Sequence, residues 1–227
     1  MGVRPVKGSI AKVPWKFKIV GALCFYSLVM FAYMPSADRM LCAVAMFVSA
    51  VGDLFLGHVF SLKKRGVSDF TLGAAAFGTA HLIYALAYVV KMKQNPILMR
   101  YINAGTVTAI LICVTCLLLF SGICIYRKDY RYLWVIIAYV CLISVNCTVV
   151  LSYAWAYVFQ TEICPVGTEV SWHLKRINDA IGAAVGALSF LISDVCLGLN
   201  RVAGRKGAYK FVWIFYPIGQ FLLITCG

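Results

Sequence analysis

The stretch AVAMFVSAVGDLFLGHVF at residues 43–60 decides the fold, and GAAVGALSFLISDVCLGLN at 182–200 repeats its lesson. Each run is apolar and close to the ~20 residues that a membrane-crossing helix needs. Each also carries one aspartate, Asp53 in the first and Asp194 in the second. The chain has only 8 acidic residues, so two of them inside apolar runs stand out. An ionised carboxylate at bilayer depth costs at least ~2.5–3.5 kcal/mol on insertion scales, so such groups face a protein interior or a wet cavity and are functional candidates. The structural alternative is a pair of carboxyls satisfied by hydroxyls and backbone, acting as glue between helices.

The rest of the chain agrees with a membrane setting. Of its 227 residues 63% are hydrophobic, and the mean hydropathy is +0.88. A soluble domain has ~45–50% apolar residues. Seven apolar runs, from about 16 to about 28 residues long, lie at roughly 19–34, 40–60, 70–90, 102–126, 132–159, 177–199 and 209–226. The expectation is an all-α polytopic transmembrane bundle, a single membrane domain over 1–227 with a basic segment at 1–18. That segment reads as a signal-anchor, since no small-x-small cleavage site follows it.

The net charge of +13 sits in short clusters between the runs, such as Lys63-Lys64-Arg65 and Arg205-Lys206. No basic face with interleaved aromatics is present, so nucleic acid is not an expected partner. Most of the 21 Lys and Arg fall in the N-terminus and in the loops after spans two, four and six. The positive-inside rule then places that side in the cytosol. Spans two and six run toward it, so Asp53 and Asp194 are both expected in the cytosolic half of the bilayer.

Several chemistries are not indicated. Most of the 10 cysteines lie within apolar runs, where they read as small packing residues. Cys113-x-x-Cys116 lacks the second ligand pair a zinc site requires. His58, His81 and His173 form no HxxxH or HExxH pattern, and neither G-x-S-x-G nor a Walker loop occurs. No metal and no cofactor are expected.

Other polar residues could share a site with the aspartates. His81 and Tyr84 are three apart on one face of span three. Tyr132, Tyr139, Asn146 and Tyr153 recur every seven residues along span five, which reads first as an interhelical seam. Tyr216 and Gln220 are one turn apart in span seven. Gly182, Gly186, Ser189 and Ser193 make a small-residue face on span six, suited to close helix approach. Asn200 ends that span, where it can cap the helix or meet a headgroup.

In order, Ala50-Val51-Gly52-Asp53-Leu54-Phe55-Leu56, Phe77-x3-His81-x2-Tyr84, Gly186-Ala187-Leu188-Ser189-Phe190-x2-Ser193-Asp194, Leu199-Asn200-Arg201 and Tyr216-x3-Gln220 resemble the YhhN-like lysoplasmalogenase family, from about Lys12 to Leu223. The resemblance implies a multi-span enzyme, usually of eight helices, that cleaves the vinyl ether of lysoplasmalogens to a fatty aldehyde and glycerophosphocholine or glycerophosphoethanolamine. It also implies an endoplasmic reticulum membrane. Lys12-Val13-Pro14 resembles the family's second span, so this chain is expected to lack the first.

A vinyl ether is hydrolysed by protonation at its β-carbon, which leaves an oxocarbenium ion for water to capture. That requires a protonated carboxyl, a carboxylate facing the cation and a positioned water. Two neighbouring carboxyls in an apolar setting commonly share one proton, as in other paired-carboxylate enzymes. The expected roles divide acid and base between Asp53 and Asp194, without assigning which is which. His81, Tyr139 and Tyr216 would support them, with Tyr84 and Gln220 nearby. Lys12, Asn200 and Arg201 would meet the lysophospholipid's phosphate. A homo-oligomer is compatible with such a chain. A proton-coupled transporter and a non-catalytic lipid sensor are the competing classes.

Overall fold

The computed structural model describes residues 14–59, 68–94, 102–128, 130–159 and 170–227. Seven helices carry almost all of them: α1 Trp15–Tyr33, α2 Ala37–Leu56, α3 Asp69–Lys93, α4 Ile102–Arg127, α5 Leu133–Phe159, α6 Val170–Val202 and α7 Ala208–Cys226. All seven contain a stretch long and apolar enough to cross a membrane. The expected all-α bundle of seven spans is therefore what forms.

Two boundaries differ from the hydropathy reading. The first helix begins at Trp15, directly after Pro14, and the sixth begins at Val170 rather than near 177. Hydropathy marks where the chain enters hydrocarbon, whereas the hydrogen-bond ladder continues through polar turns such as Lys175-Arg176.

Six helices close a ring. The contacts run from α1 to α2, α3, α5, α6 and α7, and from α7 back to α1, while α4 packs outside against α5. The α6–α7 pairing is the most extensive. Its closeness follows from the small-residue face. A Cβ on Gly219 would lie 2.8 Å from the Phe190 backbone nitrogen and 3.0 Å from the Gly186 carbonyl oxygen. Only glycine lets two backbones approach so far. Lipid-sized side chains such as Phe25, Leu111, Leu118 and Ile214 point outward and are half or more exposed. That outward apolar surface suits hydrocarbon surroundings.

The stripe of span five faces α3. Phe70 meets Tyr132, and Tyr88 meets Tyr153, at ring separations of 5.0 and 5.5 Å. The seam reading of that stripe holds at both ends, and its middle reaches the polar centre of the ring.

Candidate active site

Asp53 lies one turn before the end of α2, and Asp194 lies within the last third of α6. Both point into the ring toward the end of the bundle that holds the α2–α3 and α6–α7 turns. They line one cavity of about 410 Å³. That is a size suited to a small ligand group. Asp53 is 8% exposed and the Asp194 side chain is 8% exposed, so each is nearly sealed.

The two carboxyls are held differently. The Tyr216 hydroxyl donates to Asp53 Oδ2 at 2.6 Å. Asp194 Oδ2 lies 3.1 Å from His81 Nε2, and His81 Nδ1 lies 3.2 Å from the Asn146 amide nitrogen. An amide NH₂ can only donate, so Nδ1 accepts and Nε2 carries the proton that meets Asp194. This chain fixes the imidazole, which is fully buried against Phe190 at a ring distance of 4.3 Å. Tyr139 Oη is buried near Asp194 without an ordinary hydrogen bond.

Local sequence explains the placement. A Cβ on Gly52 would come within 2.8 Å of the Phe77 ring. The Gly-Asp pair thus brings an aromatic wall against α2 beside the acid. Phe77, Phe190 and Tyr216 stack edge to face at 5.6–6.3 Å, and Phe77 and Tyr216 of this cluster line the cavity. Pro217 follows Tyr216 inside α7, where the missing N–H interrupts the helical ladder beside the site.

A narrow apolar slot adjoins the cavity. It holds about 50 Å³ and runs between α3, α4, α5 and α6 past Phe120, Ile136 and Ile143. Cavity and slot share Leu56, Phe77, Asp194 and Leu197. Asp194 therefore stands at their junction, whereas Asp53 lines the cavity alone.

The other residues expected at the site divide. His81, Tyr139 and Tyr216 gather around the acid pair. Tyr84 and Gln220 do not line the cavity. They bond to each other at 2.5 Å, fully buried between α3 and α7. Asn200 also stays out of the cavity: its amide lies 3.4 Å from the Arg205 carbonyl and braces the α6–α7 turn. Arg201 does line the mouth, with its guanidinium 3.3 Å from the Leu56 carbonyl. Lys12 lies outside the described residues.

The sequence reading missed four groups at the mouth. His58 lines it in a left-handed conformation (φ 57°) and pairs with Asp69 at 2.8 Å. Lys16, Tyr209 and Trp213 line it as well. Tyr209-x3-Trp213-x2-Tyr216 is a one-face aromatic pattern that could have pointed there. Lys16 was hidden among the basic residues that set topology.

A helical membrane ring with two sealed carboxyls facing one cavity defines the class of this protein. The chain belongs to the YhhN family, whose model matches residues 13–226. That family includes lysoplasmalogenases. No curated protein and no solved structure matches the chain.

Proposed function

We propose that the protein is a lysoplasmalogenase, an ether hydrolase acting on 1-alkenyl lysoglycerophospholipids. The observation that carries this reading is the position of Asp194 where a polar cavity meets an apolar slot, with Asp53 across the cavity. A lysoplasmalogen has the same division, with a polar glycerophosphate joined to an alkenyl tail through the vinyl ether. With the first carbons of the tail at the slot, the β-carbon faces Asp194 and the ether oxygen faces the cavity.

In this reading Asp194 is the general acid. It delivers its proton to the β-carbon, the alkene electron pair forms the new C–H bond, and the ether oxygen stabilises the resulting cation. Asp53, held as an acceptor by Tyr216, faces that cation and takes a proton from the attacking water. The neutral hemiacetal then collapses. Its hydroxyl proton returns to Asp194, and the proton on Asp53 goes to the departing glycerol oxygen. The products are fatty aldehyde and glycerophosphodiester, and both carboxyls regain their starting states. His81 orients Asp194, and Arg201 meets the phosphate at the mouth.

The same reading places the mouth in the cytosolic half of an endoplasmic reticulum membrane, by the loop charges and the family resemblance. Purified protein in detergent is expected to release aldehyde from a lysoplasmalogen and not from the saturated ether analogue. Full turnover by Asp53→Asn or Asp194→Asn would overturn the assignment.

A further inference from the structure

The cavity mouth contains a group that the acid–base chemistry does not use. Lys16, in the first turn of α1, places its Nζ 4.1 Å from the Tyr209 ring centroid, 5.1 Å from Trp213 and 5.8 Å from Trp15. Trp15 and Trp213 pack edge to face at 5.6 Å, and Trp213 meets Tyr216 at 6.0 Å. Three rings thus surround one ammonium, and Trp213 leads directly to Tyr216, the partner of Asp53. Aromatic boxes of this kind attract ammonium and quaternary ammonium ions through the negative faces of the rings.

A second feature points independently to a ligand. The Trp213 indole nitrogen is buried at this wall with no hydrogen-bond acceptor among the described residues. An unpaired buried N–H is costly, so it marks a place where an oxygen acceptor is expected. Arg201 lines the same mouth. A phosphodiester oxygen at this mouth would offer the acceptor that the indole N–H lacks, with the guanidinium as a further donor. In a glycerophosphocholine or glycerophosphoethanolamine the amine sits two carbons beyond the phosphate ester oxygen. The aromatic faces that hold Lys16 line the same mouth as Arg201, so phosphate and amine can be met together.

We infer that the box of Trp15, Tyr209 and Trp213 is the subsite for the headgroup ammonium of the lysophospholipid, and that Lys16 is the resident cation the ligand displaces. This rests on the proposed function for its substrate class and adds the headgroup selectivity. The enzyme prefers an amine-bearing headgroup over a bare phosphate because only the former replaces Lys16 with an equivalent cation.

The test separates headgroup binding from turnover. Two saturated 1-O-alkyl lysolipids, one with phosphocholine and one with phosphate alone, are titrated onto the full chain in nanodiscs. Neither has an alkene, so neither is consumed. Lys16→Met keeps the apolar stem and removes the competing charge. It is expected to tighten phosphocholine binding about threefold to tenfold, the range of an ammonium–aromatic contact. Binding of the phosphate-only lipid should be unchanged or weaker. Tyr209→Leu is expected to erase the preference, and Trp213→Phe, which keeps a ring but deletes the N–H, to weaken both lipids alike.

Equal binding of the two lipids by wild type, with Lys16→Met neutral or harmful to phosphocholine binding, would overturn the inference and leave Lys16 as a bolt between α1 and α7. A clear phosphocholine preference without aldehyde release would sustain the subsite while removing the hydrolase reading. Aldehyde release without any preference would do the reverse.

Discussion

The bundle has a polar cavity toward each end, and they handle acidic residues in opposite ways. At the far end a space of about 490 Å³ is lined by Asp38 and Asp179 together with Arg39, Lys91, Lys175 and Arg176. Its acids share the space with basic residues near the ends of α2, α3 and α6, so that even Asp38, only 5% exposed, has cations for neighbours. In the other cavity the hydrogen-bond partners of Asp53 and Asp194 are a tyrosine and a histidine. Among the described residues neither is paired with a Lys or Arg. Carboxyls matched by neighbouring cations at an interface need no further task. Two carboxyls held among neutral donors and apolar walls have given up most of their solvation, and chemistry is what such an arrangement suits.

The sharpest way to break this contrast is to remove one carboxylate from each end. Asp194→Asn and Asp53→Asn are expected to lower aldehyde release by about 10²–10⁴-fold, the usual range for a positioned acid or base. Asp38→Asn should leave turnover within about twofold. Rates measured on purified protein, with folding checked by circular dichroism, decide it. Equal losses at both ends would make the acids structural.

The partners of the acids come next. Tyr216→Phe deletes the 2.6 Å bond to Asp53, and His81→Ala deletes the link to Asp194. A hydrogen bond to a charged group contributes ~1.5–3 kcal/mol, so each change is expected to cost about 10–100-fold in kcat. KM should move little. A loss confined to KM would shift these residues from orienting the acids to binding substrate.

The α6–α7 seam ties the two cavities together, and Gly219 is its tightest point of backbone-to-backbone approach. The atoms a Cβ would meet there are backbone, so no side chain can yield. Gly219→Ala is expected to destabilise by about 1–3 kcal/mol, as overpacking does. Thermal unfolding in detergent measures this. An unchanged melting temperature would show that the seam is looser than its spacing implies.

Much of this arrangement was legible in the sequence because charge inside an apolar run is so costly. Asp53, Asp194 and His81 were found that way, and Tyr216 followed from its place one turn before Gln220. The pairing was not legible. Helical spacing puts Tyr84 on the face of His81 and Gln220 on the face of Tyr216, yet ring closure turns the first of each pair away from the cavity and locks Tyr84 to Gln220. Only the packing of α2, α3, α6 and α7 decides which tyrosine meets which acid. Lys16 was missed for a different reason: a basic residue before an apolar run already has a full explanation in topology. Its aromatic neighbours come from the opposite end of the chain. The apolar slot was invisible as well, since its lining is ordinary leucine, isoleucine and phenylalanine whose gaps depend on how α4 leans on α5.

The smallest expected effect on activity tests the far end alone. Lys91 is 9% exposed, donates to the Cys226 carbonyl, and sits 5.4 Å from the Tyr153 ring centroid. Holding an ammonium there has a desolvation cost that one carbonyl and one ring only partly offset. The effective penalty for burying an ion is several kcal/mol, and an apolar side chain of similar volume does not incur it. Lys91→Met is therefore expected to keep or raise the melting temperature while aldehyde release stays within about twofold of wild type. A lower melting temperature would mean that Lys91 is bound into the charge balance with Asp38 and Asp179. A lost activity would mean that the two cavities communicate along α3, which carries Lys91 at one end of its path and His81 near its middle.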